Sequence, residues 1–166
     1  LGARWEQFVD LDGPLPVWEI PAEQMKGVTG HKLPFTVPLC PQTVEIIEAA
    51  RRINGQFPWV FPNDIRPQKG PISNNTVIFH LYRVGYRGKH TAHGFRASFS
   101  TIMNERQSSM RHIIDFSLAH VPKDAVEAAY NRAKYLEDRR RLHQEYADLL
   151  LEGFPSAFEL LDGPKR

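Results

Sequence analysis

The amino-acid sequence predicts a mixed α/β domain of the α+β kind, mostly helical, with a small antiparallel sheet. Short apolar runs that alternate with polar residues and stop at Pro or Gly lie before Pro41. From Pro41 onward the apolar residues recur mostly at helical spacing, between capping and stop signals. A chain of 166 residues, 42% hydrophobic and 24% charged, is long enough to enclose one core, so residues 1–166 are read as a single domain.

Leu1 to Asp12 reads as the end of a helix running into a first strand, with Trp5 and Phe8 turned inward and Val9 and Leu11 adding apolar content. Asp12-Gly13-Pro14 is a turn. Val17-Trp18-Glu19-Ile20 alternates as a half-buried strand does, and Pro21 ends it. A hairpin loop carrying Lys26 and His31-Lys32 leads to a second run, Phe35 to Leu39. Pro34 and Pro38 suit an edge strand there, because proline offers no N–H to a ladder. Pro41 opens a helix whose stripe is Val44, Ile47 and Ile46, with Arg51-Arg52 near its C-terminal end and Gly55 stopping it. Trp59-Val60-Phe61 is a short apolar segment and 63–70 a polar loop. Ser73 reads as the N-cap of a helix through Val84, followed by the basic loop Gly85-Tyr86-Arg87-Gly88-Lys89. Phe99, Ile102 and Met103 continue a helix that breaks at Arg106 to Ser109. Ile113, Ile114 and Leu118 mark another that ends at Ala119-His120. Asp124 is a candidate cap for a short segment, Ala125 to Ala129. A long amphipathic helix then runs from Asn131 to Leu151, with Leu136, Leu142, Tyr146, Leu149 and Leu150 apolar, and Gly153 and Pro155 end it.

Composition narrows the classes. A net charge of +2 permits nucleic-acid binding without arguing for it. No apolar run approaches a membrane span and no export signal opens the chain, so a membrane is not an expected partner. Cys40, the single cysteine, has no internal partner, which favours a reducing, cytoplasmic setting. The histidines do not cluster with carboxylates or Cys40 at metal-ligand spacings, so the sequence offers no metal site. Leu1 in place of a start methionine reads as the beginning of a piece cut from a longer protein.

The stretch that organises the chemistry is His90-Thr91-Ala92-His93-Gly94-Phe95-Arg96. His93 and Arg96 stand three apart at a helix start, on one face. An always-charged planar fork beside a group that takes or gives a proton suits a phosphate undergoing reaction. By itself the pattern is equally that of a solvated first turn. His120 alone reads as a helix C-cap, and Tyr130 alone as core packing with a satisfied hydroxyl.

Read together, His93-Gly94-Phe95-Arg96, Leu118-Ala119-His120 and Ala129-Tyr130-Asn131-Arg132-Ala133 resemble the boxes of tyrosine recombinases, and among these the prophage and genomic-island integrases. Trp18-Glu19-Ile20-Pro21, Met25-Lys26, His31, Val37-Pro38-Leu39 and Val60-Phe61-Pro62 agree, so the resemblance runs from Leu1 to about Leu151. Several ordered boxes are far more specific than any one of them. The resemblance implies the C-terminal catalytic domain of a site-specific integrase, with the tyrosine recombinase catalytic-domain fold. Its partner would be double-stranded attachment-site DNA. Four protomers of the full-length protein would assemble on two duplexes, exchanging C-terminal segments. The patch Phe154 to Leu161 is a candidate for that docking, or for packing on its own domain.

The resemblance also assigns roles. Tyr130 would be the nucleophile, leaving a 3′-phosphotyrosyl link and a free 5′ hydroxyl. Tyrosine has an unperturbed pKa near 10, so it needs cations to stabilise the developing charge and a proton acceptor nearby. Arg96 would bond the non-bridging oxygens, His93 would handle a proton and His120 would donate to the phosphoryl oxygen. Lys26, chosen over nearby Lys32 because it matches the Met-Lys string, would protonate the departing oxygen. Lys32, Arg87 and Lys89 are candidates for DNA-backbone contacts. Arg139-Arg140-Arg141 reads either as a further set of phosphate contacts or as a solvated helix face. His90 and His112 take no role. The family has another catalytic arginine ahead of the segment matching Leu1-Gly2-Ala3-Arg4-Trp5, and Arg4 is not it. The domain is therefore expected to be N-terminally truncated and inactive by itself. Rival readings are a type IB topoisomerase-like nicking and rejoining enzyme, and a DNA-binding prophage remnant without catalysis.

Overall fold

The structure is a computed structural model that describes residues 1–25, 32–120 and 135–164. The expected cap at Asp124 and the segment Ala125 to Ala129 lie outside the described residues. The observed architecture is the expected one, helices around a small antiparallel sheet. Its strands are β1 (Phe8–Val9), β2 (Val17–Ile20) and β3 (Phe35–Pro38), in that order across the sheet. Val17 pairs with Pro38 and Ile20 with Phe35, so β3, with its proline, is an edge strand. Phe8 and Trp18 are cross-strand partners whose rings stack with centroids 5.8 Å apart.

Ahead of β1 there is no helix end, only a single 3-10 turn at Trp5–Gln7. The preceding backbone pairs with an extended neighbour instead: the Val60 amide donates to the Ala3 carbonyl at 3.0 Å, and Arg4 bridges Trp59. Once those groups bond across the chain they are not available to a helix. Val60, fully buried, joins Ala3, Ile47 and Ala50 in a core cluster that Trp5, Phe8 and Trp18 cover.

The helices are α1 (Pro41–Asn54), α2 (Thr76–Arg83), α3 (Gly94–Arg106), α4 (Arg111–Ser117), α5 (Leu136–Leu151) and α6 (Ala157–Asp162). In α1 the buried stripe is Ile47, Ala49 and Ala50, while Ile46 is exposed. Ser73 does not cap α2. Its hydroxyl meets the Thr76 hydroxyl at 3.3 Å and its carbonyl closes a turn on the Thr76 amide, so the helix begins after that turn, behind Asn75. Residues 131–134 lie outside the described set, and Tyr135 takes a left-handed backbone with φ of 47°. That conformation cannot continue an α-helix, and α5 starts at Leu136. Leu149 and Leu150 are exposed, not core: the last turn of α5 runs beyond the cluster and borders an open groove beside α1 and α6. Of the two readings of the C-terminal patch, Phe158 packs on its own domain, under the Arg52 guanidinium at 4.1 Å, whereas Phe154 and Leu160 are exposed.

The second core cluster is Phe99 and Met103 of α3, Ile113 and Ile114 of α4, Leu118, and Leu142 of α5. The same α5 also grips the free edge of β3. His143 Nδ1 lies 2.9 Å from the Pro38 carbonyl, and Arg140 Nη1 donates to the carbonyls of Pro16 and Leu39 at 3.1 and 3.0 Å. Side chains of a helix thus bond backbone acceptors where β3 ends beside the start of β2.

Burial, with Arg139 and Arg140 nearby, holds the His143 imidazole below its ordinary 6.5 despite the hydrogen bond to Pro38. Below that pH the unfolded chain takes up a proton that the folded chain refuses, so stability is full above pH 6.5 and declines as pH falls. Thermal unfolding is expected to move to lower temperature between neutral and mildly acid buffer. His143→Gln, which keeps a donor for Pro38, should lose less. Equal losses in both chains would contradict the assignment.

Candidate active site at the start of α3

The start of α3 is capped by Thr91, whose hydroxyl accepts from the Gly94 amide at 3.1 Å. His93 occupies the position just before the helix, and its carbonyl accepts from the Arg96 amide at 3.0 Å. Its imidazole makes no capping bond and is left exposed. His90 packs on Phe95 with ring centroids 4.5 Å apart and lies over Gly94. A Cβ at Gly94 would stand 3.0 Å from the His90 ring, which accounts for the glycine.

Arg96 is exposed two residues into α3, yet its guanidinium is not free to swing. Nη2 donates to the carbonyl of Leu118, on the far side of α4. That carbonyl is available because α4 ends at Ser117 and the chain turns out of the helix, with Ala119 in a left-handed backbone at φ of 52°. The helix therefore stops earlier than the expected end at Ala119-His120. The left-handed residue throws His120 outward, where it is exposed. The His120 amide donates to the Asp115 carbonyl at 3.2 Å, and its Nδ1 stands 3.5 Å from the Asp115 carboxylate. At the other end of α3, Arg106 and Gln107 donate to opposite oxygens of Glu145 on α5, at 2.9 and 2.8 Å. Arg106 holds the Glu145 carboxyl below the usual carboxylate range, so this tie is a charged one at neutral pH.

His93 and Arg96 thus stand at the head of α3, and Arg96 bonds the carbonyl of Leu118, two residues before His120. Lys26 and Tyr130 lie outside the described residues. Lys32 reaches back to the Glu23 carbonyl at 3.4 Å. Arg87 and Lys89 are exposed on the loop before α3, with the Arg87 guanidinium 5.5 Å from the Tyr82 ring centre. Among the described residues no group of three or more His, Cys, Asp and Glu is arranged to hold a metal.

The arginine run after Tyr130 divides differently from either expectation. Arg141 is exposed and pairs with Asp138 at 3.0 Å. Arg140 caps backbone carbonyls, and Arg139 is buried, so neither of these two is a phosphate contact on the surface or a solvated residue. The sequence carries one signal for this. Tyr135, Arg139, Leu142 and Tyr146 fall at spacings of four, three and four, which puts Arg139 in the middle of the apolar stripe. Asp115 carries no such signal: five residues before His120 is not a helical-face spacing, and only the turn at Ala119 brings the two together.

The chain matches the phage integrase family over residues 1–137. It belongs to that family. Prophage integrase IntA of Escherichia coli (strain K12) is 38% identical over 148 residues, which are 89% of this chain and 34% of that protein. The integrase of Shigella phage Sf6 is 35% identical over 152 residues, 90% of this chain and 37% of that protein. The integrase of Enterobacteria phage P4 is 34% identical over 159 residues, 89% of this chain and 35% of that protein. The chain therefore spans about a third of the length of these relatives. No solved structure matches it. Among the described residues no helix is long and apolar enough to cross a membrane.

Ala119 carries the strain at this site. Ala119→Gly is expected to raise stability by up to about 1 kcal/mol, since relief of roughly 1–2 kcal/mol of left-handed strain outweighs the added freedom of the unfolded chain. Ala119→Val is expected to lower it by a similar amount, because a β-branched residue fits that backbone worst. Urea titration measures both, and a destabilised glycine variant would contradict the strained conformation.

Proposed function

We propose that this chain is the catalytic domain of a longer site-specific DNA integrase, which inserts or excises a mobile element by breaking and rejoining strands through a 3′-phosphotyrosyl intermediate. The observation that carries the reading is the Arg96 guanidinium tied to the Leu118 carbonyl, two residues from His120, in a chain of the phage integrase family. A planar cation fixed by one bond keeps its other donors aimed, which is the preorganisation a developing phosphorane charge requires.

In the forward step the Tyr130 phenolic oxygen forms a bond to phosphorus and the bond from phosphorus to the 5′ oxygen breaks. The phenolic proton passes to a base, for which His93 is placed in sequence and exposed at the helix head. Lys26 supplies the proton that the 5′ oxygen takes up. Arg96 and His120 bond the non-bridging oxygens throughout. One ester replaces another, so the reverse step with a different strand's 5′ hydroxyl rejoins DNA without a nucleotide cofactor or a metal. Lys32, Arg87 and Lys89 neutralise phosphates of the duplex beside the cleavage point. The full-length protein acts in the cytoplasm on attachment-site DNA, as a tetramer spanning two duplexes.

The test is covalent trapping. The full-length protein, mixed with attachment-site DNA nicked near the cleavage point, should give a protein–DNA adduct that survives denaturant. Tyr130→Phe is expected to abolish the adduct and Arg96→Ala to cut its rate by roughly 100-fold or more. An adduct that persists in Tyr130→Phe overturns the reading. Binding without any adduct favours a non-catalytic remnant, and relaxation of plasmids lacking an attachment site favours a topoisomerase-like enzyme.

A further inference from the structure

Arg139 is 1% exposed, among the most deeply buried side chains of the described residues. Its guanidinium lies 4.6 Å from the ring centre of Phe35 on β3 and 5.1 Å from that of Phe116 on α4. Phe116 in turn stands 5.8 Å from Phe35 and 5.8 Å from Tyr135. One cation thus packs on a ring from the sheet edge and a ring from α4, and the second of these also meets Tyr135. Burial lowers its pKa to about 10, so it remains charged at neutral pH.

A buried arginine is not needed to fill such a space. Even a buried ion pair, replaced whole by apolar side chains of similar volume, often leaves stability unchanged or higher, because the desolvation cost disappears. What the guanidinium supplies and a hydrocarbon does not is a fixed geometry. A flat cation with two ring faces against it has one preferred orientation relative to both. Phe116 lies on α4 just before the turn that presents the Leu118 carbonyl to Arg96 and then turns His120 outward. The adjacent Arg140 and, one turn on, His143 tie α5 to the end of β3. A rotation of Phe116 would therefore carry the anchor of Arg96 with it.

We propose that Arg139 is a positioning residue: packed against both Phe35 and Phe116, it sets how the end of α4 stands against the sheet, and so where the Leu118 carbonyl holds Arg96. This rests on the integrase reading above, and it assigns a role that packing alone would not.

The experiment compares Arg139→Met, Arg139→Lys and, as a packing control, Leu142→Ala, all in the full-length protein with nicked attachment-site DNA. Melting temperature, DNA affinity and the rate of adduct formation at saturating DNA are measured for each. Arg139→Met is expected to keep its affinity while its saturating rate, measured well below its own transition, falls roughly tenfold or more and out of proportion to any change in melting temperature, as a small misplacement of catalytic groups does. Arg139→Lys, which restores charge without the planar fork, should recover part of that loss. Leu142→Ala should lose melting temperature and, assayed well below its transition, keep its rate. A wild-type rate in Arg139→Met overturns the proposal. So does a rate that falls only in step with melting temperature, as in the Leu142→Ala control. If Arg139→Met does not fold, Arg139→Lys is judged by the same two comparisons. Failure of the integrase reading itself would show separately, as an adduct that survives Tyr130→Phe.

Discussion

A single helix, α5, has to satisfy two neighbours of different character, and the rest of the structure is arranged around that constraint. Leu142 completes an apolar cluster with α3 and α4. On an adjoining side, Arg140 and His143 bond the carbonyls along β3. The apolar contacts supply the burial that holds the helical part together. The polar contacts determine where that part stops against the sheet, because an acceptor buried without a partner would be costly. Arg139 lies where the two sides meet and faces both.

That arrangement explains why the candidate site is built at helix ends. The middle of α3 is committed to the core through Phe99 and Met103, and its C-terminal end to α5 through Glu145. Its first turn is left at the surface, with His93 and Arg96 exposed. α4 is short because its chain leaves the helix after Ser117. The turn is made by a left-handed alanine, and a carbonyl leaving the helix serves as the anchor for an arginine. Functional side chains held by a rigid frame yet pointing into open space are what recognition of a large polyanion requires.

The aromatic and cationic residues form a second theme. Arg52 lies on Phe158, Arg4 on Trp59, and Arg139 on both Phe35 and Phe116. Arg52 and Arg4 each cover a ring while their side chains stay in part exposed, whereas Arg139 is withdrawn from the surface altogether.

Much was already determined by the sequence. The strand Val17–Ile20, the edge character of β3, the start of α1 at Pro41 and the core residues Phe99, Met103 and Ile114 follow from local periodicity and from what proline can do, and neighbours need not be known to read them. The ordered boxes around His93, Arg96, His120 and Tyr130 pointed to the family in the same way, through residue types at fixed separations. Where Ser73 failed as a cap, where α4 ended, and which of Arg139, Arg140 and Arg141 met solvent were decided only by tertiary structure. Each depends on a partner far away in the chain or on a backbone turn that no side-chain pattern announces. An arginine in an apolar stripe is ambiguous until two rings close on it, and an anchoring carbonyl belongs to the backbone, which has no letter in the sequence.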